Sequence, residues 1–194
     1  MSVAQPGKFT PREYLGLETR AEIKHELVNG QIVAMAGKSP AHNRVAFNLT
    51  AALGQKLLGG PCQGFTSDQR VSVPETELYT YPDLSVVCGE PRYDPGDPET
   101  LVNPTLLAEV LSPSTGAWDR GGKFAHYRRL PSLQEYLMVA QDRHRVERYV
   151  RQVEEWVLTE FSSPDDAVEL SALGVQISLR EIYDRVPFPE QPAR

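Results

Sequence analysis

Val45, Leu49, Leu53 and Leu57 recur at every fourth position after Ser39-Pro40 and before Gly59-Gly60-Pro61. That spacing predicts a helix with one buried stripe, opened at Ser39-Pro40 and ended by the glycine pair. An earlier helix is predicted from Thr10-Pro11-Arg12-Glu13 to about Arg20, because Thr10 can cap, Pro11 suits the first turn and Glu13 completes a capping box. Between the two helices, the apolar positions of residues 24–28 and 31–35 flank Asn29-Gly30, the dipeptide of a type I′ turn, and predict a β-hairpin.

Further along, short apolar runs predict strands at residues 62–66, 69–73, 83–88, 105–111, 134–140, 144–151 and 155–161, and one more around 175–178. Gln141-Asp142-Arg143 reads as a turn. A helix is expected over 119–130, with Phe124, Tyr127 and Leu130 toward the core, and a short one over 179–183. Residues 74–78 and 89–103 read as connections, the second long enough to be a lid or binding loop. The proline-rich end from about residue 186 reads as a loose tail. Strands and helices interleave without strict βαβ periodicity. The expected fold class is therefore α/β of the α+β kind, a mixed sheet flanked by helices, in one domain spanning 1–194.

Composition narrows the class. A chain of 194 residues, 40% hydrophobic and 24% charged, can bury an ordinary core, and no apolar run approaches the length of a membrane span. Residues 1–8 lack the apolar stretch of a signal peptide, so a cytoplasmic location is expected. Cys62 and Cys88 each sit beside a predicted strand and, in a reducing compartment, read as small packing residues rather than as a disulfide or metal site. The net charge of −6 argues against a broad basic surface for nucleic acid, although a local one remains compatible with it.

Two carboxylates stand where apolar strands are expected. Asp83 opens Tyr-Pro-Asp-Leu-Ser-Val-Val (81–87), and Glu109 lies within Leu-Leu-Ala-Glu-Val-Leu (106–111). An ionised carboxylate in such a strand is costly to desolvate unless a cation, a donor set or a pKa shift compensates it. On neighbouring strands the two would lie about 5 Å apart, close enough to share one hard cation. Taken singly, each also fits a strand-end carboxylate or a buried salt bridge.

Pro82-Asp83, Glu109 in its Leu-Ala-Glu-Val-Leu strand, Ser-Pro-Ser-Thr (112–115) and Asp119-Arg-Gly-Gly-Lys123 together resemble the Uma2 (DUF820) family of endonucleases, in the PD-(D/E)XK restriction-endonuclease-like superfamily. The likeness runs from Glu26-Leu-Val-Asn-Gly through Ser-Pro-Ala-His42-Asn to Glu135-Tyr-Leu-Met-Val. It has one departure. Leu111 stands two positions after Glu109, where the superfamily has lysine, and the resemblance moves the catalytic lysine to Lys123 on the following helix. It implies a restriction-endonuclease-like core and magnesium- or manganese-dependent hydrolysis of nucleic acid, DNA above all.

Such hydrolysis needs charge neutralisation at the phosphate, an activated water and a stabilised leaving oxygen, all within reach of bound magnesium. Asp83 and Glu109 are the expected ligands, and Lys123 the ammonium that orients the water or offsets charge. Glu26 would complete the metal shell or hold a metal-bound water, and His42 would contact a phosphate or the metal site. His25, His126 and His144 show no ligand spacing and read as structural. Ser112, Ser114 and Thr115 read as turn and cap residues, and Arg128, Arg129, Arg143, Arg145, Arg148 and Arg151 as a solvated or subunit-contacting strip. The expected partners are nucleic acid and further copies of the chain in a homodimer or larger symmetric assembly. Two other readings use the same residues: a nuclease-like binding or assembly module that does not cleave, and a carboxylate-pair hydrolase with a different substrate.

Overall fold

The structure, a computed structural model, describes residues 7–113, 115–153 and 155–188. Helix α1 (Pro11–Glu18) begins at the expected capping box, in which the Glu13 carboxylate accepts the Thr10 backbone N–H at 2.8 Å. Strands β1 (His25–Val28) and β2 (Gln31–Ala34) form the hairpin. Its turn places Asn29 at φ 52° and Gly30 at φ 81°, the left-handed conformation that selects this dipeptide. Helix α2 (Pro40–Leu57) is capped by the Ser39 hydroxyl, which accepts the His42 N–H at 3.0 Å, and buries Val45, Leu49, Leu53 and Leu57 as the periodicity requires.

The strands that follow are β3 (Cys62–Thr66), β4 (Arg70–Val73), β5 (Leu78–Thr80), β6 (Leu84–Cys88), β7 (Tyr93–Asp94), β8 (Asp97–Leu101) and β9 (Leu106–Leu111). After β9 come α3 (Gly116–Trp118), a π-helical turn (Asp119–Lys123) and α4 (Phe124–Tyr127). Then follow β10 (Glu135–Ala140), β11 (Val146–Arg151), β12 (Trp156–Phe161), the hairpin β13 (Ala167–Leu170) and β14 (Val175–Ser178), and α5 (Leu179–Ile182). One six-stranded sheet has the order β2-β1-β5-β4-β8-β7 and a second the order β12-β11-β10-β9-β6-β3. Both are mixed, since β4–β8 and β9–β10 pair in parallel among antiparallel neighbours.

Strand alternation divides the core. From β9, Leu106, Ala108 and Val110 face the side covered by α2, β13, β14 and α5, where they meet Val45, Leu49, Leu53, Ile177 and Ile182. Leu107 and Leu111 face the other side, with Val71, Leu78, Phe124, Tyr127 and Tyr136. Each fully buried leucine of this kind contributes about 2 kcal/mol relative to exposure. Glu109 shares the second face by the same alternation, so it points toward the segment that carries Lys123.

Four expectations change. Residues 89–103 are not a long irregular loop, because β7 and β8 pair within them and β8 joins β4. The connection at 74–78 holds a single 3-10 turn (Pro74–Thr76) and the start of β5. The helix expected over 119–130 begins at Gly116, changes to a π turn and ends at Tyr127. Cys62 and Cys88 are joined as a disulfide, since the antiparallel β3–β6 register sets them directly opposite with Cα atoms 3.9 Å apart. Residues 1–6, Ser114 and the end of the tail lie outside the described residues.

Candidate active site

The β6–β9 pair brings the two strand carboxylates together. Asp83 lies just before β6, and its Oδ2 accepts the backbone N–H of Val110 at 2.8 Å, which fixes it beside the strand that carries Glu109. His42 Nε2 is 3.2 Å from Asp83 Oδ2 and Lys38 Nζ is 3.7 Å from Asp83 Oδ1. Burial alone would raise the Asp83 pKa. The bond from His42, the His42 and Lys38 charges and the Val110 N–H outweigh it and hold the carboxyl below its ordinary value.

Across this face, Lys123 Nζ lies 3.0 Å from Glu26 Oε1, 3.1 Å from Glu109 Oε1 and 3.7 Å from Asp119 Oδ1. The wide π turn places Asp119 and Lys123 together on the inward side, a geometry often found at functional sites. Glu26 comes from β1 and accepts the Thr80 hydroxyl, while Glu109 Oε1 accepts the Tyr127 hydroxyl at 2.7 Å. Glu26, Glu109, Asp119 and Lys123 are all buried.

Three carboxylates around one ammonium leave an excess of buried negative charge. Burial, the Asp83, Asp119 and Glu26 charges, and only partial relief from Lys123 push the Glu109 pKa up to about 8. Burial also raises Asp119, again partly offset by Lys123. For Lys123 itself, burial works against the charged form, but Glu109, Glu26 and Asp119 prevail and the ammonium is held well above its ordinary pKa. Hard oxygen donors in negative excess suit a magnesium-like cation. Among the described residues, no set of three or more histidine, cysteine, aspartate or glutamate side chains is arranged to hold a metal ion in this conformation. The Lys123 ammonium stands between Glu26 and Glu109.

This cluster forms the foot of a cavity of about 780 Å³, walled by Glu26, Val33, Lys38, Trp118 and neighbouring residues. His42, Glu109, Asp119 and Lys123 line it, whereas Asp83 lies behind His42 and Lys38 and is not part of the wall. The structure thus brings Glu26, Glu109 and Lys123 into contact and couples Asp83 and His42 as an adjoining pair. Sequence reasoning missed the inward placement of Asp119 and the parts of Lys38, Thr80 and Tyr127. Asp119 was open to detection, because it stands four residues before Lys123 on a helical segment.

The remaining candidates are engaged elsewhere. His25 Nδ1 lies 3.0 Å from Glu18 Oε2, His126 packs beside Trp118, and His144 sits between Tyr183 and Phe188. Ser112 Oγ and Thr115 Oγ1 are 2.9 Å apart in the turn after β9. No helix among the described residues is long and apolar enough to cross a membrane.

Residues 11–180 match the Uma2 family, described as "Putative restriction endonuclease". Two uncharacterized proteins of Synechocystis sp. are similar over nearly their whole lengths. One is 38% identical, with 90% of this chain and 99% of the relative covered, and the other 37%, with 93% and 94% covered. In fold the chain is similar to a crystal structure titled as a putative nuclease belonging to DUF820 from Anabaena variabilis. The TM-score is 0.75 at 19% identity, over 90% of this chain and 97% of that one. With the match running from α1 to α5 and including the β1, β9 and π-turn segments that build the cluster, the chain belongs to the Uma2 family.

Proposed function

We propose that the protein is a divalent-cation-dependent nuclease that hydrolyses phosphodiester bonds, with DNA as the substrate. The observation that carries this reading is the meeting of Glu26, Glu109, Asp119 and the Lys123 ammonium at the foot of one cavity, in a chain of this family. Glu109 and Glu26, with Asp83 and Asp119 adjoining, would hold magnesium or manganese, which neutralises phosphate charge and acidifies a bound water. His42 fixes Asp83, and Tyr127 and Thr80 fix Glu109 and Glu26. Lys123 keeps its proton, so its part is to offset negative charge developing on the phosphate. Leu111 leaves no place for that lysine on β9, since it is buried with Phe124 and Tyr136 in the apolar cluster.

The test is cleavage of supercoiled plasmid and single-stranded DNA with magnesium or manganese. Lys123→Ala should slow the parent reaction by roughly 100-fold, the order for loss of one preorganised charge. Asp83→Ala and Glu109→Ala should abolish magnesium or manganese binding in calorimetry as well as cleavage. Parent protein that cleaves with neither metal would favour the second reading, a nuclease-like binding module, which Leu111 at the superfamily's lysine position supports. We also propose a homodimer or larger symmetric assembly, so that two sites meet a two-stranded substrate. A monomer by light scattering at micromolar concentration would refute that part.

A further inference from the structure

The cavity above the carboxylate cluster has two unlike walls. Glu26, Glu109, Asp119 and Lys123 supply its polar lining, while Val28, Val33, Met35, Pro113 and Trp118 supply an apolar one. Such a wall has no use for a bare phosphodiester backbone, whose contacts are polar.

Trp118 is held in this wall by the π turn. A Cβ at Gly122 would lie 1.8 Å from Cζ3 and 2.1 Å from Cε3 of the indole, so the ring sits against the bare Gly122 backbone, where no other residue fits without moving it. The His126 ring lies beside it, with centroids 6.1 Å apart. The indole is nevertheless only half-buried, and Val33 on the hairpin is 47% exposed. Part of the indole is thus fixed in the cavity lining, beside the carboxylate cluster, and stays accessible from the cavity. A second feature of the cavity also lacks a partner: His42 is 1% exposed, lines the cavity, and its Nδ1 has no hydrogen-bond partner among the described residues.

Charge decides what such a wall can receive. The lining holds two cations, Lys38 and Lys123, against the three carboxylates Glu26, Glu109 and Asp119. Lys123 is already occupied by all three carboxylates and Lys38 faces Asp83. Duplex DNA gripped through its phosphates needs many free cations. A site short of them must draw affinity from a base face, which a paired and stacked base cannot offer.

We infer that the cavity takes one unpaired nucleotide of a DNA strand, its base laid on Trp118 against the Val33 and Met35 side, so that the substrate is single-stranded or locally opened DNA. This rests on the nuclease reading for the meaning of the site, but it is measured by binding alone. Fluorescence anisotropy of labelled dodecathymidylate and of a twelve-base-pair duplex, with EDTA present to prevent cleavage, compares the two ligands. The parent should bind the single strand at least tenfold more tightly than the duplex. Trp118→Ala should lose about tenfold or more on the single strand, the order for one base–aromatic stack, and little on the duplex. Trp118→Phe should retain most of the affinity, whereas Trp118→Leu, which keeps apolar bulk without a π face, should behave like Trp118→Ala and stands in for it if the alanine variant does not fold. Equal binding of both ligands by the parent, or unchanged single-strand binding by Trp118→Leu, overturns the inference. Cleavage by a parent that shows no single-strand preference would leave the nuclease reading standing and remove this one. Trp118-dependent binding without cleavage under either metal would do the reverse.

Discussion

Glu109 sits in a strand whose every residue is buried, its Oε1 between the Tyr127 hydroxyl at 2.7 Å and the Lys123 ammonium at 3.1 Å. Burial, with one ammonium too few to balance the carboxylates around it, is why the Glu109 carboxyl holds its proton up to about 8 in the folded chain. In the unfolded chain the same group titrates near its ordinary value of 4.5. Between those values the folded state carries more protons than the unfolded one, so this group makes stability fall as pH rises through that window. Asp83 acts oppositely: its lowered pKa gives stability that is present above the ordinary carboxylate value and lost as pH falls through the folded one. Thermal melting of the metal-free protein should therefore show a decline from about pH 5 to pH 8 that Glu109→Gln flattens. A profile unchanged by that substitution would place the excess proton elsewhere. Magnesium binding at neutral pH should also release protons, read as a dependence of the calorimetric heat on buffer ionisation enthalpy.

At the scale of elements, β3 is the outermost strand of its sheet, hydrogen-bonded to β6 alone within that sheet. The Cys62–Cys88 bond ties this edge down across 26 residues of chain. By loop-closure entropy a link of that span stabilises by about 3.5 kcal/mol, and in a chain of this size each kcal/mol shifts Tm by about 2–4 °C. The Cys62→Ser, Cys88→Ser double variant should melt roughly 7–14 °C lower, and a reductant should move the parent but not the variant. Two free thiols per chain in the unreduced, denatured protein would refute the link. The register that makes this pair is a long-range fact, and cysteine spacing does not carry it. The helix caps, the Asn29-Gly30 turn and the α2 stripe were legible in the sequence because each is decided within a few residues. Strands β5, β7, β8 and β13 were not, since they are short and are held by partners distant in the chain rather than by their own alternation. The same contrast governs the site. Glu109 stood out as a charge in an apolar strand, and the four-residue spacing of Asp119 and Lys123 pairs them on one helical face, whereas the π turn that carries both is not announced by spacing.

For the whole molecule, a net charge of −6 is combined with several arginines that are already occupied. Arg120 and Arg145 both reach Glu147, at 2.8 Å and 3.0 Å, and Arg145 also meets Glu160 at 2.7 Å. Arg151 donates to the carbonyls of Leu133, Arg128 and Leu130, Arg148 to that of Glu169, and Arg129 faces Glu75 at 3.3 Å. The strip that looks basic in sequence is thus largely neutralised by neighbours and satisfied by main-chain oxygens, and freeing it for phosphates would cost those bonds. With Lys38 and Lys123 the cations of the cavity, and both already facing carboxylates, at most two phosphates can be neutralised at the site. Counterion release from a single strand then gives a slope of log K against log salt no steeper than about −1.4, from roughly −0.7 per phosphate. Anisotropy titrations of dodecathymidylate from low to moderate salt should return a slope no steeper than about −2, and Lys38→Ala should make it shallower by up to about 0.7. A slope steeper than about −4 would mean that a strand is tracked along an extended cationic surface, and that the arginine pairs open when nucleic acid binds.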